Sequence, residues 1–239
     1  GRGIVETPSN FGVQGAAPTH RELLNDLATR FVANGWSLKW LHREIMTSAT
    51  YQQSSYRDPA SFAKDPENQW LWRMTPKRLD VEAWRDALLS ASGELDQRIG
   101  GPPRELHEAG NRRRTVYGLV RRREISEMLR LFDFPDPVAS VAQREPTITP
   151  LQQLFVLNSR FFEQQSRRLV ETVSQSGTND GERIAATYER LFQRLPTPRE
   201  SHLGVQYLQQ LREVKVAEAE AWRQYAHVLL SSNEFLYID

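Results

Sequence analysis

The chain contains no cysteine, which excludes a disulfide, a thiolate nucleophile, an iron–sulfur cluster and any Cys-ligated zinc. Lysine is scarce as well. Of 31 basic residues, 27 are arginine and only Lys39, Lys64, Lys77 and Lys215 are lysine, a bias that suits fork-like pairing with carboxylates. Excess charge of either sign is missing, because 31 basic residues face 30 acidic ones for a formal charge of +1. The basic surface that tracks a phosphate backbone is therefore lacking, and nucleic acid is set aside as a partner. Long apolar runs are lacking too: Leu154-Phe155-Val156-Leu157 is far short of the roughly 18 residues that a membrane span needs. What remains, across 239 residues with 39% hydrophobic and 26% charged side chains, is the composition of a globular chain with a sizeable core.

Capping signals organise the reading. Thr19-His20-Arg21-Glu22 has the form of a capping box and precedes Leu23, Leu24, Leu27, Phe31 and Val32 at helical spacing. Gly35 ends that helix, and Ser37 caps a second one carrying Leu38, Leu41, Ile45 and Ala49, which predicts a helical hairpin. Residues 52–68 are polar, contain Pro59 and Pro66, and read as an exposed connection. Asp80 caps a helix with Val81, Trp84, Leu88 and Leu95, which Gly100-Gly101-Pro102-Pro103 terminates. Thr115-Val116-Tyr117-Gly118-Leu119-Val120, flanked by Arg112 to Arg114 and Arg121 to Arg123, reads as a short strand or extended segment. A brief helix with Ile125, Met128, Leu129 and Phe132 breaks at Asp133-Phe134-Pro135-Asp136-Pro137.

The second half opens on Thr149-Pro150-Leu151-Gln152, a capping hydroxyl followed by proline at the first helical position and glutamine at the third. Thr197-Pro198-Arg199-Glu200 repeats the pattern. Between and beyond these lie helical spacings through Phe161, Leu169, Ile184, Tyr188, Leu208, Trp222 and Leu229. The expected fold is mainly α, a helical-hairpin-rich orthogonal bundle with at most a short strand pair near 113–120. The chain is read as one domain over 1–239, with sub-parts 1–145 and 146–239. Because Gly1-Arg2-Gly3 is neither an initiator methionine nor a signal peptide, the natural N-terminus is expected upstream.

Chemical signals are sparse. The five histidines, His20, His42, His107, His202 and His227, contain no i, i+4 pair, so neither zinc nor haem attachment is expected in this chain. No serine sits in Gly-x-Ser-x-Gly. Asp133 and Asp136, held by prolines, are either a carboxylate pair for acid and base work on a sugar or turn residues paired with arginine. The two arginine triplets either present guanidiniums to an acidic polysaccharide or pair with Glu105, Glu108, Glu124 and Glu127. Trp70 and Trp72 are either sugar-stacking rings or core.

These linked motifs resemble the planctomycete-type domain of unknown function that forms the C-terminal part of large secreted proteins, often behind cytochrome-c-like domains. The resemblance spans essentially the whole chain. It rests on Gly1-Arg2-Gly3-Ile4-Val5, Pro18-Thr19-His20, Gly35-Trp36-Ser37-Leu38-Lys39 with His42-Arg43, and Thr47-Ser48-Ala49-Thr50-Tyr51. It continues through Asn68 with Leu71-Trp72-Arg73, Arg85-Asp86, Phe132-Asp133-Phe134-Pro135-Asp136-Pro137, Leu157-Asn158-Ser159 and Asn233-Glu234-Phe235-Leu236-Tyr237. The resemblance implies an extracytoplasmic or periplasmic helical domain joined to redox or carbohydrate-related modules. Because the residues of the strongest motifs are caps, turns and core positions, the first reading is a non-catalytic interaction or scaffold domain of a secreted multidomain protein. Its partners would be other domains of the same polypeptide, including cytochrome-c-like ones. Any haem would belong to such a domain. The alternative is a carbohydrate-binding or glycan-degrading unit in which His20, His42, Arg43, Tyr51, Arg85, Asp86, Asp133, Asp136 and Arg144 converge from separate segments.

Overall fold

The computed structural model describes residues 3–108 and 110–238; Gly1 and Arg2 of the opening Gly-Arg-Gly motif, Ala109 and Asp239 lie outside them. The fold is mainly α, as expected, with one two-stranded antiparallel sheet. Contacts divide the chain between Lys77 and Arg78.

In the first unit, helices α1 (Arg21–Ala33) and α2 (Leu38–Met46) form the expected hairpin. Its turn is a Schellman closure: Gly35 N–H donates to Val32 O at 3.0 Å and Trp36 N–H to Phe31 O at 3.0 Å. Gly35 and Trp36 both take positive φ, 67° and 60°, and the Trp36 ring meets Phe31 edge-on at 5.5 Å, the apolar contact that accompanies this motif. Ser37 then caps α2 by accepting from Trp40 N–H at 3.2 Å.

Two expectations here are corrected. Thr19 does not cap α1: the cap position is His20, and the Thr19 N–H and hydroxyl both donate to Ile4 O, at 2.9 and 3.3 Å. With His20 at the cap position, no side-chain cap bond forms at this helix start. The connection over 52–68 also contains α3 (Pro59–Lys64), which starts where Asp58 accepts from the Ser61 N–H at 2.8 Å with Pro59 in the first turn. Beyond it, buried Asp65 accepts from the N–H groups of Gln69 (2.9 Å) and Trp70 (2.8 Å), while its carbonyl takes the Trp72 indole N–H at 2.9 Å. Buried Asn68, at φ 56°, donates to Arg73 O and accepts from Arg73 N–H. Trp72 is thus tied into a folded loop, whereas Trp70 is exposed.

The second unit holds every buried hydrophobic side chain among the described residues. It contains α4 (Val81–Ala91), a 3-10 turn at Thr115–Tyr117, α5 (Glu127–Leu131), α6 (Pro150–Asn158) and α7 (Arg160–Val173). These are followed by α8 (Asp180–Phe192), α9 (Pro198–Glu213), α10 (Glu218–Leu230) and α11 (Asn233–Leu236). The strand pair is β1 (Lys77–Arg78) with β2 (Tyr237–Ile238), not the segment 113–120. That segment makes only single bridges, Asp96 with Arg113 and Arg104 with Gly118, because side chains of α4 capture the backbone groups a ladder would need.

One core gathers Trp84 and Leu88 of α4, Phe132, and Phe162 and Leu169 of α7, with Trp84 centred 4.7 Å from Phe132 and 5.1 Å from Phe162. Residues from both sides of position 145 therefore share it. Each such ring or leucine contributes about 1.5–3 kcal/mol on burial. A second cluster packs Ile184, Tyr188, Leu208, Trp222 and Tyr225 of α8, α9 and α10. Gly204 permits the close approach of α9, since a Cβ there would lie 2.6 Å from Tyr225 Oη and 2.9 Å from Ile184 Cδ1.

The capping boxes at Thr149 and Thr197 form as expected. The Thr197 hydroxyl accepts from Glu200 N–H at 3.3 Å, and Glu200 Oε2 accepts from Thr197 N–H at 2.7 Å. The same carboxylate takes two bonds from Arg194, whose Nε also reaches Glu234. Thr197→Ala should lower stability by about 1 kcal/mol in a urea titration. The Arg194 bonds and the capping N–H hold the Glu200 carboxyl down at about 2. A carboxyl lowered on folding adds stability above its unfolded pKa of about 4.3 and loses it as pH falls towards 2. The melting-temperature gap between wild type and Arg194→Gln should accordingly be constant above about pH 5 and close as pH falls towards 2.

Candidate functional site

The break at Phe132-Asp133-Phe134 creates the most connected polar cluster of the second unit. Asp133 occupies the left-handed region at φ 62°, where a side chain other than glycine is strained. Its carboxylate explains why the strain persists. It accepts from Arg78 Nη2 (3.0 Å), the Thr147 N–H (2.9 Å), the Thr147 hydroxyl (2.6 Å) and Gln152 Nε2 (3.4 Å). Gln152 Nε2 also donates to Leu131 O at 2.8 Å while its Oε1 closes the α6 capping box on Thr149 N–H. Arg78 donates onward to Thr147 O. The clasp joins the segment after α5, the lead into α6 and the entry to α4. The side chains of Arg78 and Asp133 are only 9% and 18% exposed.

Beside this clasp lies a cavity of about 290 Å³, lined by Arg78 and Gln152, by apolar Trp84, Phe132, Val156 and Leu230, and by the polar residues Ser231, Ser232 and Asn233. A shallower depression of about 770 Å³ lies between α4, α7 and α8, bordered by Ser90, Thr172, Glu189 and Arg190.

The remaining candidates of the second unit sit in separate networks. Arg85 is buried beneath the 111–115 segment and Asp86 accepts from both Thr115 donors at 2.7 Å. Burial lowers the Arg85 pKa from its ordinary value, against the opposing pull of Asp86. Arg144 grips Glu82 with two bonds of 2.6 and 2.7 Å and lies 5.4 Å above the Phe134 ring. Burial would raise the Glu82 carboxyl, but the Arg144 bonds outweigh it and hold the group below its usual value. Asp136 is exposed and accepts from Val138 N–H at 2.9 Å, which makes it a turn residue. Asp133 spends its oxygens on the clasp and Asp136 on its own turn, so the two do not form the facing carboxylate pair that glycosidic cleavage uses.

In the first unit, His20 lies beside Thr19, with Nδ1 3.0 Å from the hydroxyl; His42 and Arg43 are exposed on α2, and exposed Tyr51 follows it. Among the described residues no group of three or more His, Asp or Glu is placed to hold a metal ion. The arginine-rich centre is mostly paired: Arg121 with Glu105 at 2.6 Å, Arg112 with Glu94 at 3.1 Å, and Arg113 donating to Arg98 O beneath the Tyr117 ring. Arg78, Thr147 and Gln152 escaped sequence reasoning as site residues. The box at Thr149 signalled Gln152 only as a cap, and nothing local marked its second bond to Asp133.

Residues 1–208 match the family model PSD1, described as protein of unknown function (DUF1553). No curated protein and no solved structure matches the chain.

Removal of the Asp133 carboxylate leaves the Arg78 cation uncompensated in a largely buried setting, so Asp133→Ala should cost about 3 kcal/mol in chemical denaturation. Asp136→Ala should stay within about 0.5 kcal/mol.

Proposed function

On the premise that the chain belongs to the PSD1 family, proteins of unknown function (DUF1553), we propose that it is a non-catalytic interaction domain of a secreted multidomain protein, joined to redox or carbohydrate-related modules. The observation that carries this reading is the apolar surface of the first unit. None of the residues of α1, α2 or α3 is fully buried, although α1 and α2 are built with the apolar spacing of core-facing helices. Trp36 is 68% exposed, Leu38 62% and Met46 56%, around a hairpin whose own geometry is well fixed by its Schellman turn and Ser37 cap. Apolar residues gathered on an ordered element, with no core beneath them, are the usual mark of a protein–protein contact. Neighbouring modules of the same polypeptide are the partners this reading assigns, in an extracytoplasmic setting. The candidate polar residues support it by their occupation: Asp133, Arg144 and Arg85 hold the fold together and are not free for chemistry.

Calorimetric titration of the chain with separately purified neighbouring modules tests this. Wild type should bind, and the double variant Leu38→Ser with Met46→Ser should bind at least about tenfold more weakly, a loss of about 1.4 kcal/mol, at an unchanged melting temperature. Absence of binding, or equal binding by the variant, would refute the proposal.

A further inference from the structure

Residues 95–124, the mostly irregular stretch that crosses α4, concentrate the positive charge of the chain. They hold eight arginines against Asp96, Glu105, Glu108 and Glu124, whereas the remaining residues carry 23 basic and 26 acidic groups. The near-neutral total thus contains one basic lobe. Five of its arginines are used within the fold. Arg98 pairs with Asp96 at 2.6 Å, Arg112 with Glu94 at 3.1 Å and Arg121 with Glu105 at 2.6 Å. Arg114 lies 3.6 Å from Asp86, and Arg113 donates to Arg98 O at 3.0 Å. Arg104, Arg122 and Arg123 are exposed, and among the described residues none of the three has an ion pair or a side-chain hydrogen bond.

The backbone gathers these three on one lobe. Arg104 N–H donates to Tyr117 O at 3.1 Å and Leu119 N–H to Arg104 O at 2.7 Å, which lays Arg104 alongside 117–119. Just beyond, Glu124 N–H donates to Arg121 O at 3.1 Å and closes a turn with Arg122 and Arg123 at its tip. Arg85 and Asp86 fasten the same lobe to α4 through Asn111, Arg113 and Thr115. The free guanidiniums therefore stand on a backbone that is already ordered, and a partner that meets them does not have to order it.

The surroundings define the partner. A guanidinium is a planar fork that receives a carboxylate through two parallel hydrogen bonds. Exposed Glu108 and Glu124 belong to the same lobe, Glu124 reaching Arg121 only at 3.9 Å, and they oppose a continuous polyanion such as a sulfated glycan or an anionic membrane. Carboxylates placed singly along a polypeptide can avoid them. Ile99 and Val116, 90% and 68% exposed, add apolar contact on the lobe, where Arg113 ties 98–100 to the 111–117 stretch. We propose that this lobe is a docking surface for an acidic polypeptide segment that carries carboxylates beside apolar side chains, received by Arg104, Arg122 and Arg123. The surface lies in the second unit and stands independently of the docking role of α1 and α2.

The test uses the whole chain and a fluorescein-labelled peptide of Glu-Glu-Leu repeats, with a peptide of Gln-Gln-Leu repeats as its uncharged counterpart. Fluorescence anisotropy at about 20 mM salt should show the acidic peptide bound at least about tenfold tighter than the neutral one, and weaker at about 150 mM. The triple variant Arg104→Gln, Arg122→Gln, Arg123→Gln should lose at least about tenfold in affinity. Arg21→Gln, Arg160→Gln, Arg199→Gln removes the same charge from exposed arginines elsewhere and should bind as wild type does. The double variant Leu38→Ser with Met46→Ser should also keep the peptide, so the two docking proposals fail separately. Amide-proton spectra of wild type need no variant: shifts on adding the acidic peptide should centre on residues 104 and 117–124. No binding, equal loss in the two triple variants, shifts centred elsewhere, or tighter binding to heparin or phosphatidylserine vesicles than to the peptide would overturn the proposal.

Discussion

The Arg85 guanidinium is the interaction on which the second unit depends. It is 1% exposed and, among the described residues, its hydrogen bonds go to carbonyls and a hydroxyl, with no carboxylate in direct contact. Its charge is shared among Asn111 O at 2.7 Å, Arg113 O at 2.9 Å and the Thr115 hydroxyl at 3.2 Å, and that hydroxyl passes its own proton towards Asp86 at 2.7 Å. Five hydrogen bonds thereby fix four atoms of one irregular segment to one turn of α4. Desolvating a cation is expensive, and only several well-aligned acceptors offset it, so the segment can take one path across α4. The chain from Leu95 to Val120 has almost no regular structure of its own and gains its shape from this contact.

The same logic recurs on the other side of the core. Asp133 draws Arg78, Thr147 and Gln152 together from three parts of the sequence, and Arg144 returns to Glu82. Between these polar ties lies the aromatic cluster of Trp84, Phe132 and Phe162. Burial supplies the bulk of the stabilisation and the polar ties decide which loops lie over it. The first unit lacks this arrangement. Its order comes from caps and turns, such as the Asp65 loop and the Schellman closure, and its apolar side chains are half-buried, as Phe31 and Leu41 are, or exposed, as Trp36 and Leu38 are.

Helices with strong start signals were legible in the sequence. Thr149-Pro150 and Thr197-Pro198 open α6 and α9 because cap, proline and glutamine or glutamate all act within four residues. Ser37 and Gly35 mark the hairpin for the same local reason. Thr19 carried the same spacing, but the helix starts one residue later, with His20 at the cap position and Thr19 tied back to Ile4 O fifteen residues away. The β-branched run over 115–120 suggested a strand, but Arg85 and Asp86 claimed its backbone groups. Of the two readings the sequence left open for Asp133, the structure has the arginine pair, but its partner Arg78 lies 55 residues away and no local spacing named it. Burial and long-range partners turn Arg85, Asp133 and Arg144 into fasteners, and neither is visible in local spacing.

The central claim, that Arg85 shapes the segment lying over α4, is tested most directly by amide hydrogen exchange on Arg85→Met. Methionine fills much of the same space without the charge or the donors. The account predicts that protection of the Thr115 and Tyr117 amides collapses while α7 and α10 keep theirs, because those helices are held by the Phe162 and Trp222 cores. Unchanged protection at Thr115 and Tyr117 in that variant would contradict it.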